Sequence, residues 1–84
     1  MADTKTNPKI LIYSTPQCHF CKATKAFLTK HNIPFTDIDV SEDKALQREM
    51  IEKSNQMGVP VIDIDGKIVV GFDEERLKMI LGID

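Results

Sequence analysis

The chain has 84 residues, 42% of them hydrophobic and 29% charged, with a formal net charge of −2 and a pI near 5.6. That length fits one domain over residues 1–84 and excludes a separate substrate domain, while the hydrophobic content excludes a disordered chain. With no basic field and no Lys/Arg stripe interleaved with aromatics, nucleic acid is excluded as a partner class. A monomer is expected.

The first residues, Met1 to Lys9, are polar, and residues 1–8 read as a flexible N-terminal stretch. The first apolar run, Ile10 to Tyr13, is far too short for a signal h-region or a membrane span, so a cytoplasmic location and no membrane partner are expected. In a reducing compartment two cysteines make a poor permanent staple, and a C-x-x-C pair points to redox or metal chemistry.

Lys9-Ile-Leu-Ile-Tyr-Ser14 is apolar and β-favouring and ends at the Pro16 loop, which predicts a strand buried on both faces. From Cys18 onward, Phe20, Ala23, Phe27 and Leu28 recur at helical spacing, with Lys22, Lys25 and Lys30 mostly on other faces. This predicts an amphipathic helix with Phe20 packed under the first strand. Asn32-Ile-Pro34 ends it, because the residue before proline is pushed out of the helical region. Phe35 to Val40 then alternates like a strand.

Ser41 is the expected N-cap of a second helix, with Glu42 and Asp43 in its first turn and Leu46, Met50 and Ile51 as its buried stripe to about Ser54. Val61–Asp65 and Lys67–Val70 flank Asp65-Gly66, a hairpin signal because glycine accepts the positive φ of a tight turn. Asp63-x-Asp65-Gly66 lacks the remaining oxygen ligands of a calcium loop and reads as part of that turn. Asp73 is the expected N-cap of a last helix that buries Leu77, Ile80 and Leu81 and stops at Gly82. The order β-α-β-α-β-β-α is that of an α/β fold whose first βαβ unit pairs its strands in parallel with a right-handed crossover.

The chemistry sits where the first strand meets the first helix. There Cys18-His-Phe-Cys21 places Cys18 at the helix N-terminus, where free N–H groups and the positive dipole end stabilise a thiolate. Cys18 is the candidate nucleophile, and Cys21, one turn on, the candidate resolving thiol that displaces substrate from a mixed disulfide. No acidic residue occurs in Lys9–Ser14, so no carboxylate is assigned to move the proton of Cys21. His19, inside the motif, is a candidate for tuning the thiol pKa, against the plainer reading of an exposed side chain of little effect.

A zinc site is the main competitor, because C-x-x-C is half of a four-ligand set. The second half is missing: the chain has two cysteines, and His19 and His31 are not spaced as a ligand pair, so no metal ligands are assigned.

Tyr13-Ser-Thr-Pro-Gln-Cys18-His-Phe-Cys21, Gly58-Val-Pro60-Val-Ile and Val70-Gly-Phe-Asp73 together resemble the glutaredoxin family over about residues 9–82. The resemblance implies a thioredoxin-like fold, a four-stranded mixed sheet with helices on both faces, and a dithiol-disulfide oxidoreductase. It implies a cis Val59-Pro60 bond, with Pro60 shaping the substrate groove and the Val59 backbone pairing with a bound peptide-like thiol. Gly71, Phe72 and Asp73 would complete the thiol-binding site, Asp73 facing the α-amino group of glutathione.

No bound cofactor is implied. The expected partners are disulfide-containing proteins or small disulfides, with glutathione as reductant or co-substrate. Thr15 stands where a basic residue is common in glutathione-dependent members, and Val70-Gly71 stands for their Gly-Gly pair. Cys21-Lys-Ala-Thr-Lys25 and Gly71-Phe72 are also similar to redoxins that serve ribonucleotide reductase and take electrons from a thioredoxin-reductase-type flavoenzyme. A further reading, from another class, is a metal or iron-sulfur cluster module in which two chains share Cys18.

Overall fold

A computed structural model describes residues 9–82; the expected flexible stretch 1–8 lies outside the described residues. Seven elements follow in the predicted order: β1 (Ile10–Ser14), α1 (His19–Lys30), β2 (Thr36–Asp39), α2 (Lys44–Ser54), β3 (Val61–Ile64), β4 (Lys67–Val70) and α3 (Glu74–Leu81). The strands form one sheet in the order β2-β1-β3-β4, with β1 parallel to β2 and antiparallel to β3, and β3 antiparallel to β4.

Side-chain alternation divides the core between the two faces of this sheet. Ile10, Ile12, Ile62, Ile64 and Val69 meet Phe27, Leu28 and Leu77, so α1 and α3 cover one face. Tyr13 and Val61 meet Met50, with Leu11, Ile38 and Ile68 packed alongside, so α2 covers the other. The hairpin turn takes positive φ at both central residues, 50° at Asp65 and 93° at Gly66, and the Asp63 side chain accepts the Gly66 amide at 2.7 Å.

Two helix expectations need correcting. The α2 N-cap is Asp43, not Ser41: the Asp43 carboxylate accepts the Leu46 amide at 3.1 Å, and α2 starts at Lys44. Ser41 instead donates its amide to Asp39 at 2.8 Å, so it belongs to the turn leaving β2. Along α1, the buried stripe is Cys21, Thr24, Phe27 and Leu28, while Ala23 is half-buried and Phe20 is 64% exposed. Cys18 as N-cap sets the helix phase, which turns Cys21 rather than Phe20 toward the sheet. Thr24 is tolerated there because its hydroxyl donates to the Phe20 carbonyl at 2.8 Å.

Asp73 caps α3 through the Arg76 amide at 3.1 Å, and Gly82 ends that helix with φ 72°. Leu77 is its buried residue, with Ile80 and Leu81 half-buried against the core. Among the described residues no helix is long and apolar enough to cross a membrane.

Candidate active site

Register brings three loops to one end of the sheet. Tyr13 pairs with Val61 and Val61 with Val70, so the chain leaving β1, the chain entering β3 and the chain leaving β4 all pass there. The first carries Thr15 to Cys18, the second Gly58 to Pro60, and the third Gly71 to Asp73. The Val59-Pro60 bond is cis, and the Gly71 amide donates to the Pro60 carbonyl at 2.8 Å, which ties the second and third loops together. Gly71 has φ 80°, a conformation that favours glycine.

Cys18 is the N-cap of α1, with its sulfur accepting the Cys21 amide at 3.1 Å. An N-cap sulfur receives an N–H that the helix leaves unpaired and sits at the positive end of the helix dipole. Its Sγ lies 3.9 Å from the Val59 carbonyl, so the nucleophile candidate faces the cis-proline loop. Both cysteines are free thiols, Cys18 half-exposed and Cys21 fully buried.

Burial pushes the Cys21 thiol up to about 12, and its hydrogen bond with Cys18 adds to the shift. A backbone hydrogen bond from Thr15 and the positive charge of Lys25 pull the other way. In the reduced protein Cys21 therefore keeps its proton. The two thiols occupy chemically different settings one helical turn apart.

The remaining expected residues occupy varied surroundings. Val59 is half-buried and Pro60 buried beside the motif. Phe72 packs into the core, its ring 6.0 Å from Phe27 in an edge-on arrangement. Asp73 is exposed and already accepts the Arg76 amide. His19 is exposed on the first turn of α1.

Sequence reasoning missed two groups. Gln56 brackets the peptide at Gly58: its Oε1 accepts the Gly58 amide at 2.6 Å and its Nε2 donates to the Gly58 carbonyl at 3.0 Å, fixing the approach to Pro60. Asp37, on β2, accepts the Ser14 hydroxyl at 2.6 Å and the Lys25 ammonium at 2.8 Å. Asp37 lies on the strand parallel to β1 and not on β1 itself. The alternation of Asp37 and Asp39 around Ile38 was the available signal. Among the described residues no group of three or more His, Cys, Asp or Glu side chains gathers to hold a metal ion.

The glutaredoxin family model matches residues 10–69. The chain is 47% identical over 72 residues to an uncharacterized glutaredoxin-like 8.6 kDa protein in a rubredoxin operon of Clostridium pasteurianum, covering 86% of this chain and 96% of that one. It is 35% identical to the glutaredoxin-like protein NrdH of Lactococcus lactis subsp. cremoris, covering 81% and 93%. The crystal structure of a glutaredoxin from Archaeoglobus fulgidus superposes with a TM-score of 0.79 at 30% identity, covering 86% of this chain and 84% of that one. With the sheet order and the loops around the C-x-x-C motif in place, the match assigns the chain to the glutaredoxin family of thiol-disulfide oxidoreductases.

Proposed function

We propose that the chain reduces protein disulfides or glutathione mixed disulfides through a reversible disulfide between Cys18 and Cys21. The observation that carries this reading is the division of the two thiols. Cys18 is half-exposed at the helix N-terminus, and Cys21 is buried behind it with its proton retained. Cys18 attacks the substrate disulfide, forming a mixed disulfide and releasing one thiol. Cys21 then attacks the Cys18 sulfur, the second substrate thiol leaves, and an external reductant restores the dithiol. No bound cofactor takes part. Val59 and Pro60 form one wall of the substrate groove, Gly71, Phe72 and Asp73 its floor and far edge, and exposed His19 adds positive charge near Cys18 when protonated. The protein acts as a monomeric domain in the cytoplasm.

A second reading concerns the electron donor: a thioredoxin-reductase-type flavoenzyme supplies electrons, and a reductase such as ribonucleotide reductase receives them. It is favoured by the cleft of about 340 Å³ beside Val59, lined by Thr15, Met50, Ile51 and Met57 among others and by no charged side chain. Such a cleft offers no counter-charge to the carboxylates of glutathione.

Coupling the protein to NADPH, through glutathione and its reductase in one arm and through thioredoxin reductase in the other, tests the donor. Turnover in the glutathione arm supports the first reading, and turnover confined to the flavoenzyme arm supports the second. No turnover in either arm, with a disulfide substrate present, contradicts both.

A further inference from the structure

Cys21 has a problem that the motif alone does not solve. On resolving, it must give up its proton and act as a thiolate while fully buried. A positive charge that acts on it is on its own helix. Lys25 follows Cys21 at i+4, which places the two side chains on one face of α1. The Lys25 ammonium is drawn toward β2, where Asp37 Oδ2 pairs with it at 2.8 Å. Asp37 is fixed in turn by the Ser14 hydroxyl at 2.6 Å, and Ser14 is buried at the end of β1, immediately before the motif loop.

We propose that Lys25, anchored by Asp37 and Ser14, is a positioning residue for Cys21 that stabilises the thiolate formed in the resolving step. The inference rests on the reading of Cys21 as the resolving thiol. The bond between Cys18 and the substrate sulfur breaks, and a bond between Cys18 and Cys21 forms. The electron pair of the broken bond leaves with the substrate sulfur, which is reduced, while Cys21 is oxidised. The proton lost by Cys21 ends on the departing thiolate, giving a free thiol.

The charges around Cys21 set the sign. On its own helix it faces Cys18 and Lys25, and β2 presents Asp37 and Asp39 near Lys25. Tyr13, the titratable side chain of β1, is engaged with Glu49 and Lys53 on the α2 face. Burial works against the Asp37 carboxylate, and the hydrogen bonds from Lys25 and Ser14 overcome it, holding the carboxyl below its usual range. Asp37 therefore stays charged at neutral pH and keeps Lys25 in place. A fixed cation beside a thiol favours the thiolate, and its removal raises the thiol pKa further.

The test loads Cys18 with thionitrobenzoate and follows release of the coloured anion, which reports attack by Cys21, across a pH series. Below the Cys21 pKa, Lys25→Met is expected to slow release by about tenfold and to move the pH profile upward, whereas Lys25→Arg stays within about threefold of the parent. A Lys25→Met protein with the parental rate and pH profile overturns the proposal, as does a Lys25→Arg protein as slow as Lys25→Met. Thermal melts separate these outcomes from misfolding, and Lys25→Gln supplies a second neutral variant. In Cys21→Ser, release is expected to stop; if it continues at the parental rate, the resolving role of Cys21 falls, and the proposal with it.

Discussion

Burial separates two thiols that local sequence leaves nearly equivalent. Cys18 and Cys21 differ by one helical turn, yet one is half-exposed and the other fully enclosed with its pKa pushed up to about 12. At pH 7 iodoacetamide is therefore expected to label Cys18 in the native protein and to reach Cys21 only after denaturation, as peptide mass spectrometry would read. The C-x-x-C spacing made the pair legible, and the position after β1 made Cys18 the outer member. The phase of α1 was not legible, because Phe20 and Cys21 both suit a core position and only the N-cap geometry decides which turns inward. Gln56 and Asp37 escaped for a different reason. Each acts through partners distant in sequence or through main-chain groups, which residue type alone does not reveal.

At the scale of elements, the caps explain both what was read and what shifted. Asp73 and Gly82 bracket α3 as expected, Asp73 directly before the acidic first turn of Glu74 and Glu75 and Gly82 directly after Leu81. At α2, Ser41, Glu42 and Asp43 offer three adjacent polar starts, and the choice falls to Asp43 because Asp39 engages the Ser41 amide. Asp43→Ala is expected to destabilise the protein by about 1 kcal/mol in urea unfolding. Ser41→Ala should stay within about 0.5 kcal/mol of the parent, because its side chain caps nothing. Equal losses in the two variants would contradict the assignment of the cap. The strands and the β3-β4 hairpin were legible from the apolar run Lys9–Ser14, from the alternation of Phe35–Val40 and from Asp65-Gly66. The parallel pairing of β1 with β2 was legible from the βαβ order, whereas the antiparallel pairing of β1 with β3, which gathers the three site loops, is a tertiary fact that no local signal carries.

Across the whole molecule, a polar network ties α2 to the sheet beneath it. Lys53 donates to Tyr13 and to Asp63 at 2.7 Å each, Tyr13 donates to Glu49, and Asp63 also accepts the Gly66 amide. Burial raises the Asp63 carboxyl, but the Lys53 and Gly66 hydrogen bonds outweigh it, leaving the pKa below its usual value. A depressed carboxyl pKa contributes stability that is present above the unfolded value of about 3.9 and is lost as pH falls through the folded value. Asp63→Asn is accordingly expected to lower stability by about 1–3 kcal/mol at neutral pH and to flatten the acid limb of the stability curve. A variant with the parental acid limb would show that the pair is not the source.

The central claim, that Cys18 attacks and Cys21 resolves, is tested most directly by trapping. Cys18→Ser and Cys21→Ser proteins are each reacted with a disulfide-bonded protein substrate, quenched with acid and resolved by mass. The account predicts that Cys21→Ser accumulates a covalent complex through Cys18, that Cys18→Ser forms none, and that the parent shows the complex only transiently before its own disulfide closes. A complex held through Cys21, or substrate reduction by Cys18→Ser at the parental rate, would contradict it.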